Sequence, residues 1–166
     1  MVEIDMVEPS SEGLVKHFQG LADLELKYAS ELKALSEELR HPVLKALIGA
    51  IAGDSVKHSQ MYKAIVELLT EIQPLLTADD VREIASKISN HIRTELIMIE
   101  ETKRLLNLVT DPRVMIIVSA IHADEVTHHS VLSSIEKNIA RKEVFTEEEF
   151  WTQVWKDVPW HGAPGG

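Results

Sequence analysis

A glutamate and a histidine three residues apart, Glu125 and His128, are the pair in this 166-residue chain with the clearest capacity for chemistry. If this segment is helical, their spacing places both side chains on one face, one turn apart. A carboxylate and an imidazole placed in this way can bind a metal ion, and helical bundles build metal sites from such pairs. Because Glu-x-x-His occurs often by chance, the pair needs support from elsewhere in the chain.

That support comes from an internal repeat in which Pro42 is matched by Pro112, an offset of 70 residues. Residues 42–59 read PVLKALIGAIAGDSVKHS, and residues 112–129 read PRVMIIVSAIHADEVTHH. The same offset aligns Glu25 with Glu95 further back in the chain. Internal repeats constrain architecture, and two copies are too few for a solenoid. The repeat therefore predicts two duplicated helical hairpins that close into one bundle.

Four long helices are expected to position the chemical residues. Apolar residues recur at spacings of three and four, which predicts helices of about 30 residues, or roughly 45 Å each. The expected inner face includes large residues such as Tyr28 and Ile51. Pro42 and Pro112 suit the first turn of a helix, and Thr77 is expected to cap the third helix.

Short connections make sequential helices antiparallel, so the predicted fold is all-α. We expect an antiparallel four-helix bundle over residues 1–140. Residues 141–166 are expected to form a short C-terminal helix and a Trp-rich tail, in which Trp151 and Trp155 share one face. The simplest role for these tryptophans is that of apolar anchors on the bundle or on a second subunit, and a lid over the site is the alternative.

Composition excludes several classes of function. A net charge of -10 argues against a nucleic-acid partner, whose backbone requires a basic surface. No apolar run approaches the roughly 20 residues that span a membrane. The chain has no cysteine, which rules out disulfides, iron–sulfur clusters and thiolate metal sites. Residues 1–12 are acidic and lack a signal-peptide core, so a cytoplasmic protein is expected.

Every predicted helix carries a residue of metal-ligand type near its middle. An isolated carboxylate in an apolar helix face is costly unless a counter-charge such as a metal ion stabilises it. The residues occupy corresponding positions of the repeat, which indicates a metal site shared by the four helices. They are Glu25 on the first helix, Asp54 and His58 on the second, His91 and Glu95 on the third, and Asp124, Glu125 and His128 on the fourth. His122 and His129 flank the last motif and are placed outside the site.

This pattern resembles the ferritin-like superfamily over residues 12–140, and most closely its rubrerythrin-like and bacterioferritin-like branches. In that family, a Glu on the first and third helices and a Glu-x-x-His on the second and fourth hold two irons. The resemblance implies the metal ligands Glu25, His58, Glu95, Glu125 and His128. It also implies that the aspartates before each motif orient the histidine opposite, so that Asp54 reaches His128 and Asp124 reaches His58.

One residue departs from the family pattern, because Ser55 stands where the second helix should supply a bridging Glu. Serine is a poor ligand for Fe(II) or Mn(II), which prefer carboxylates and imidazoles. His91 is the candidate for an extra ligand, and a structural histidine is the other interpretation. The site is then di-nuclear, asymmetric or mononuclear, with iron expected and manganese or a mixed site as alternatives.

The resemblance implies a rubrerythrin-like oxidoreductase or ferroxidase, in which the metal reacts with peroxide or dioxygen. Because the cysteines of an electron-relay domain are absent, electrons would come from an external donor or from the redox cycle of the metal itself. Two other functions stay open. One is a degenerate ferritin-like bundle with a non-catalytic assembly or partner-binding role, which Ser55 favours. The other is iron storage in a shell. A homodimer or a higher homo-oligomer is expected in each case.

Overall fold

The computed structural model describes residues 11–72, 77–140, 151–152 and 155–156. This part of the chain contains four long helices and no strand, which confirms the predicted all-α class. The helices are α1 (Ser11–Glu38), α2 (Pro42–Thr70), α3 (Ala78–Leu108) and α4 (Pro112–Ala140). The expected C-terminal helix lies outside the described residues, apart from two helical pairs at 151–152 and 155–156. None of the described helices has the length and apolar character needed to cross a membrane.

The four helices form two hairpins, α1 with α2 and α3 with α4. Each hairpin belongs to a separate compact unit, and the division falls between Pro74 and Leu75. Within each hairpin the helices are antiparallel, because residues near the start of one helix meet residues near the end of the other. In the first hairpin the ring of Phe18 stacks on Tyr62, with ring centroids 6.1 Å apart. In the second, Thr102 Oγ1 lies 2.9 Å from His122 Nδ1.

The ends of the helices follow the capping chemistry that the sequence predicts. The Thr77 hydroxyl accepts a hydrogen bond from the backbone N–H of Asp80, and the Asp80 carboxylate accepts one from the backbone N–H of Thr77. This reciprocal capping box satisfies two donors that the start of α3 would leave free. At the start of α4, the side chain and backbone N–H of Arg113 lower the pKa of the Asp111 carboxyl to about 2.

Small residues form the contact between α1 and α2. The buried positions at this contact are Ala22, Ala29 and Ser36 on α1, seven residues apart, and Ala52, Ser55 and Ser59 on α2. Side chains of this size let two helices approach closely. Tyr28 and Ile51, which were expected on the inner face, stay 50% and 48% exposed.

Larger side chains occupy the equivalent positions of the second hairpin. An offset of 70 residues converts the six small residues into Ile92, Ile99 and Leu106 on α3, and His122, Glu125 and His129 on α4. All six are partly buried. The two hairpins thus have buried or partly buried residues at equivalent positions, but the side chains at those positions differ. Chemistry-bearing side chains line the second hairpin where Ala and Ser line the first.

Candidate metal centre

Three candidate ligands meet within the hairpin of α3 and α4. Glu95, Glu125 and His128 each offer one ligand atom, and these three atoms lie within 4.8 Å of one another. Glu125 and His128 stand one turn apart on α4, and Glu95 approaches them from the middle of α3. Both carboxylates are partly buried, whereas His128 is exposed. The structure thus brings together three of the five predicted ligands.

The two carboxyls of this cluster are electrostatically strained. A hydrogen bond shared with Glu95 raises the pKa of Glu125, burial raises it further, and repulsion from the Glu95 charge adds to both. The charge of the nearby His128 lowers the pKa of Glu125. Glu95 Oε2 is buried and has no hydrogen-bond partner among the described residues. A divalent cation would neutralise both carboxylates and give the buried oxygen a partner.

The spacing of the three ligand atoms also fits a metal ion. Bonds of about 2.1 Å to a common ion place ligand atoms roughly 3 Å apart. Rotation of the side chains by an ångström or two would therefore close the cluster around an ion without movement of the helices. The donor set of two carboxylates and one imidazole suits iron or manganese.

The raised pKa of Glu125 predicts how the metal-free protein responds to pH. A carboxyl whose pKa is higher when folded stabilises the fold fully below its unfolded pKa, near 4.5, and this contribution is lost as the pH rises through the folded pKa. Glu95→Gln removes the repulsion, so metal-free E95Q should melt above the wild type at pH 7. The advantage should shrink toward pH 4.5. Thermal melts of both proteins across this range, with the exposed Glu100→Gln as control, check the sign; a gap that widens on acidification would contradict it.

The hairpin of α1 and α2 holds a smaller polar pair at the equivalent place. Glu25 Oε1 lies 3.4 Å from His58 Nδ1. Both line a cavity of about 500 Å³ together with Tyr28, Asp54 and the buried Ser55. Ser55 corresponds to Glu125 in the repeat and supplies no carboxylate here. This hairpin therefore offers one carboxylate and one imidazole in contact, against two carboxylates and one imidazole in the other.

The remaining candidates lie outside the close group on α3 and α4. His91 is exposed and does not belong to the close group on α3 and α4. Asp54 pairs with Lys57, whose Nζ is 2.5 Å from its carboxylate, and Asp124 is exposed. The predicted hydrogen bonds from Asp54 to His128 and from Asp124 to His58 join residues of different units, and they stay predictions.

Two histidines that the sequence placed outside the site line the same hairpin. His122 and His129 are partly buried on α4, on either side of Glu125. His122 contacts Thr102, and His129 Nδ1 is buried with no hydrogen-bond partner among the described residues. The signal that could have identified them is their spacing of seven, which matches the buried positions Ala52 and Ser59 of the first repeat.

No protein-family model matches this chain, and comparisons with curated proteins and with solved structures give no significant match either. The structure is that of an all-α protein with two equivalent helical hairpins. One hairpin carries a carboxylate–histidine cluster. The resemblance to the ferritin-like superfamily stays a prediction from the sequence motifs.

Proposed function

We propose that this protein binds iron or manganese through Glu95, Glu125 and His128, and that it is a ferritin-like oxidoreductase. The reaction is the oxidation of Fe(II) by peroxide or dioxygen. The observation that carries the proposal is the convergence of the three ligand atoms within 4.8 Å, with one carboxylate oxygen buried and without a partner. A cluster of like charges held in this way is costly unless a cation joins it.

The donor chemistry favours the same reaction. Carboxylates and imidazoles are preferred ligands of Fe(II) and Mn(II), and three protein ligands leave coordination positions open. A bound metal of this kind supplies one-electron redox chemistry. The protein's part is to hold two ionised carboxylates against their mutual repulsion and to keep His128 toward solvent, where Fe(II) and the oxidant arrive. With no cysteine in the chain, a separate donor supplies any further electrons, and we place the reaction in the cytoplasm.

The proposal is tested by the rate of Fe(II) oxidation in the presence of dioxygen or peroxide. The wild type should oxidise Fe(II) faster than buffer alone, and Glu125→Ala should lose most of that excess rate because it removes one of two carboxylates. Glu100→Ala is the matched control, since Glu100 is an exposed glutamate on α3, five residues from Glu95. Equal rates for wild type and E125A would reject the proposal.

A second candidate function, non-catalytic assembly, is favoured by the apolar surface of the first hairpin. Leu24, Tyr28 and Ile51 surround the cavity near Glu25 and are 60%, 50% and 48% exposed. Contiguous exposed apolar surface usually marks an interaction site. A homodimer that covers this surface would show twice the chain mass in light scattering of the metal-free protein. A monomer at all concentrations would exclude this candidate.

A further inference from the structure

Polar residues join α3 and α4 like a ladder, in which two hydrogen-bonded rungs lie nearly four helical turns apart. One rung joins Thr102 to His122, with 2.9 Å between Oγ1 and Nδ1. Another joins Ser89 to Glu136, in which the serine hydroxyl donates to the carboxylate. These two contacts fix the register of the antiparallel pair, because both helices rise 1.5 Å per residue.

The same register places Glu95 opposite His129. Glu95 lies seven residues before Thr102 on α3, and His129 lies seven residues after His122 on α4. Seven residues are close to two turns, so both residues keep nearly the same direction as the rung above them. Glu95 and His129 therefore lie at the same level, as a middle rung that no hydrogen bond closes, and His129 stands outside the close group of Glu95, Glu125 and His128.

The middle rung differs from its neighbours because both of its members have a buried atom without a partner. These atoms are Glu95 Oε2 and His129 Nδ1. An unsatisfied buried polar atom is costly, and two on residues at the same level point to a group that binds both. Glu95 already belongs to the cluster with Glu125 and His128. The group that would satisfy both atoms is therefore the metal ion of that cluster.

His122, on the next rung, has its partner within the protein. The Thr102 hydroxyl lies 2.8 Å from the carbonyl oxygen of Met98 and 3.1 Å from that of Ile99, and it also forms a hydrogen bond of 2.9 Å with His122 Nδ1. The tautomer of the His122 ring decides which of the two side chains donates in that bond. His122 is thus satisfied on this side, whereas His129 is not, although both occupy the same face of α4. The comparison makes His122 a matched control for His129.

We infer that His129 is a fourth protein ligand, with Glu95, Glu125 and His128, of the metal that this hairpin binds; the inference rests on the proposed metal site. Two carboxylates and two imidazoles then come from a single hairpin. The second imidazole gives α3 and α4 a fourth ligand of their own, which compensates for the absence of a carboxylate at Ser55 on α2. Adjacent histidines on one helix point about 100° apart, so His128 would bind from the exposed side and His129 from the buried side.

The test is a titration of the metal-free, full-length protein with Co(II), whose visible absorption reports binding. His129→Ala should weaken Co(II) binding by about tenfold or more, since even partners outside the ligand set contribute 10- to 100-fold. His122→Ala should stay within about threefold of the wild type. The proton NMR spectrum of the Co(II) complex should show two hyperfine-shifted, exchangeable imidazole N–H signals in the wild type and in H122A, but one in H129A.

The outcomes separate this inference from the proposed function. If the wild type binds no Co(II), or if Glu125→Ala binds it equally well, the metal site itself is rejected and the inference with it. If the wild type binds and E125A does not, equal affinity or two imidazole signals in H129A would overturn His129 as a ligand while the metal site stands. Should H129A fail to fold, His129→Gln retains the side-chain volume without the imidazole and is expected to show the same loss.

Discussion

Replacing Glu125 with alanine is expected to weaken binding of Fe(II), Mn(II) or Co(II) by about 100-fold or more. Glu125 supplies one of only two carboxylates in the cluster, and its partner Glu95 has a buried oxygen that no other described group satisfies. Loss of an outer partner already costs metal sites 10- to 100-fold, so loss of a direct ligand should cost at least the upper value. Competition with a metal-chelating dye measures the dissociation constants.

The control for this measurement is Glu100→Ala, which removes an equal charge from the exposed surface of α3. Its affinity should stay within about threefold of the wild type, because exposed charges at this distance are screened by salt. If E125A and E100A weaken binding equally, the overall negative charge of the protein accounts for the metal affinity and the cluster has no specific role.

Enlarging Ala22 to leucine is expected to destabilise the first hairpin by about 1–3 kcal/mol. Ala22 is 2% exposed and belongs to the stripe of small residues against which α2 packs. A larger side chain at this contact must push the helices apart or adopt a strained rotamer. The expected fall in melting temperature is roughly 2–4 °C per kcal/mol for a chain of this size.

The matched control for Ala22 is its equivalent in the second hairpin, Ile92. Ile92→Leu conserves volume where a large side chain is already present, so it should cost less than about 1.5 kcal/mol. Urea unfolding of both variants gives the two free energies. Equal stability of A22L and the wild type would show that the α1–α2 contact is not closely packed.

The sequence predicted the helices and the repeat well, because their signals are local. Apolar periodicity, prolines at first turns and the Thr77 cap all act within a few residues, and the structure confirms four helices of about 30 residues with the expected starts of α2, α3 and α4. The cluster of Glu95, Glu125 and His128 also follows from local spacing, once the 70-residue offset aligns the two hairpins.

The contact between α1 and α2 was less visible in the sequence. Hydrophobic periodicity gives weight to large apolar residues, whereas Ala22, Ala29 and Ser36 carry little signal although they are buried. Ser55 also lies at this contact, where it is 4% exposed and borders the cavity that Glu25 and His58 line. The two halves of the repeat therefore differ at equivalent positions, with small buried residues in the first hairpin and ligand-type residues in the second.

The position of His129 could not be assigned from its motif alone. On a helix, the residue next to a ligand histidine points about 100° away from it. This angle does not show whether the residue can reach the metal until the position of the facing helix is known. The contact between Thr102 and His122 fixes the register, and only this tertiary information places His129 level with Glu95. Interhelical register depends on packing along the whole hairpin, which short motifs do not encode.

The most direct test of the central claim is the metal content of the full-length protein, purified without chelator and then offered Fe(II) or Mn(II). The protein should contain about one iron or manganese per chain, held by the α3–α4 cluster and retained through gel filtration. Metal present at 100 times its dissociation constant adds about 2.7 kcal/mol of stability, so the melting temperature should fall when a chelator removes it. A protein that contains no metal, takes up none and melts unchanged with chelator would show that the cluster is not a metal site.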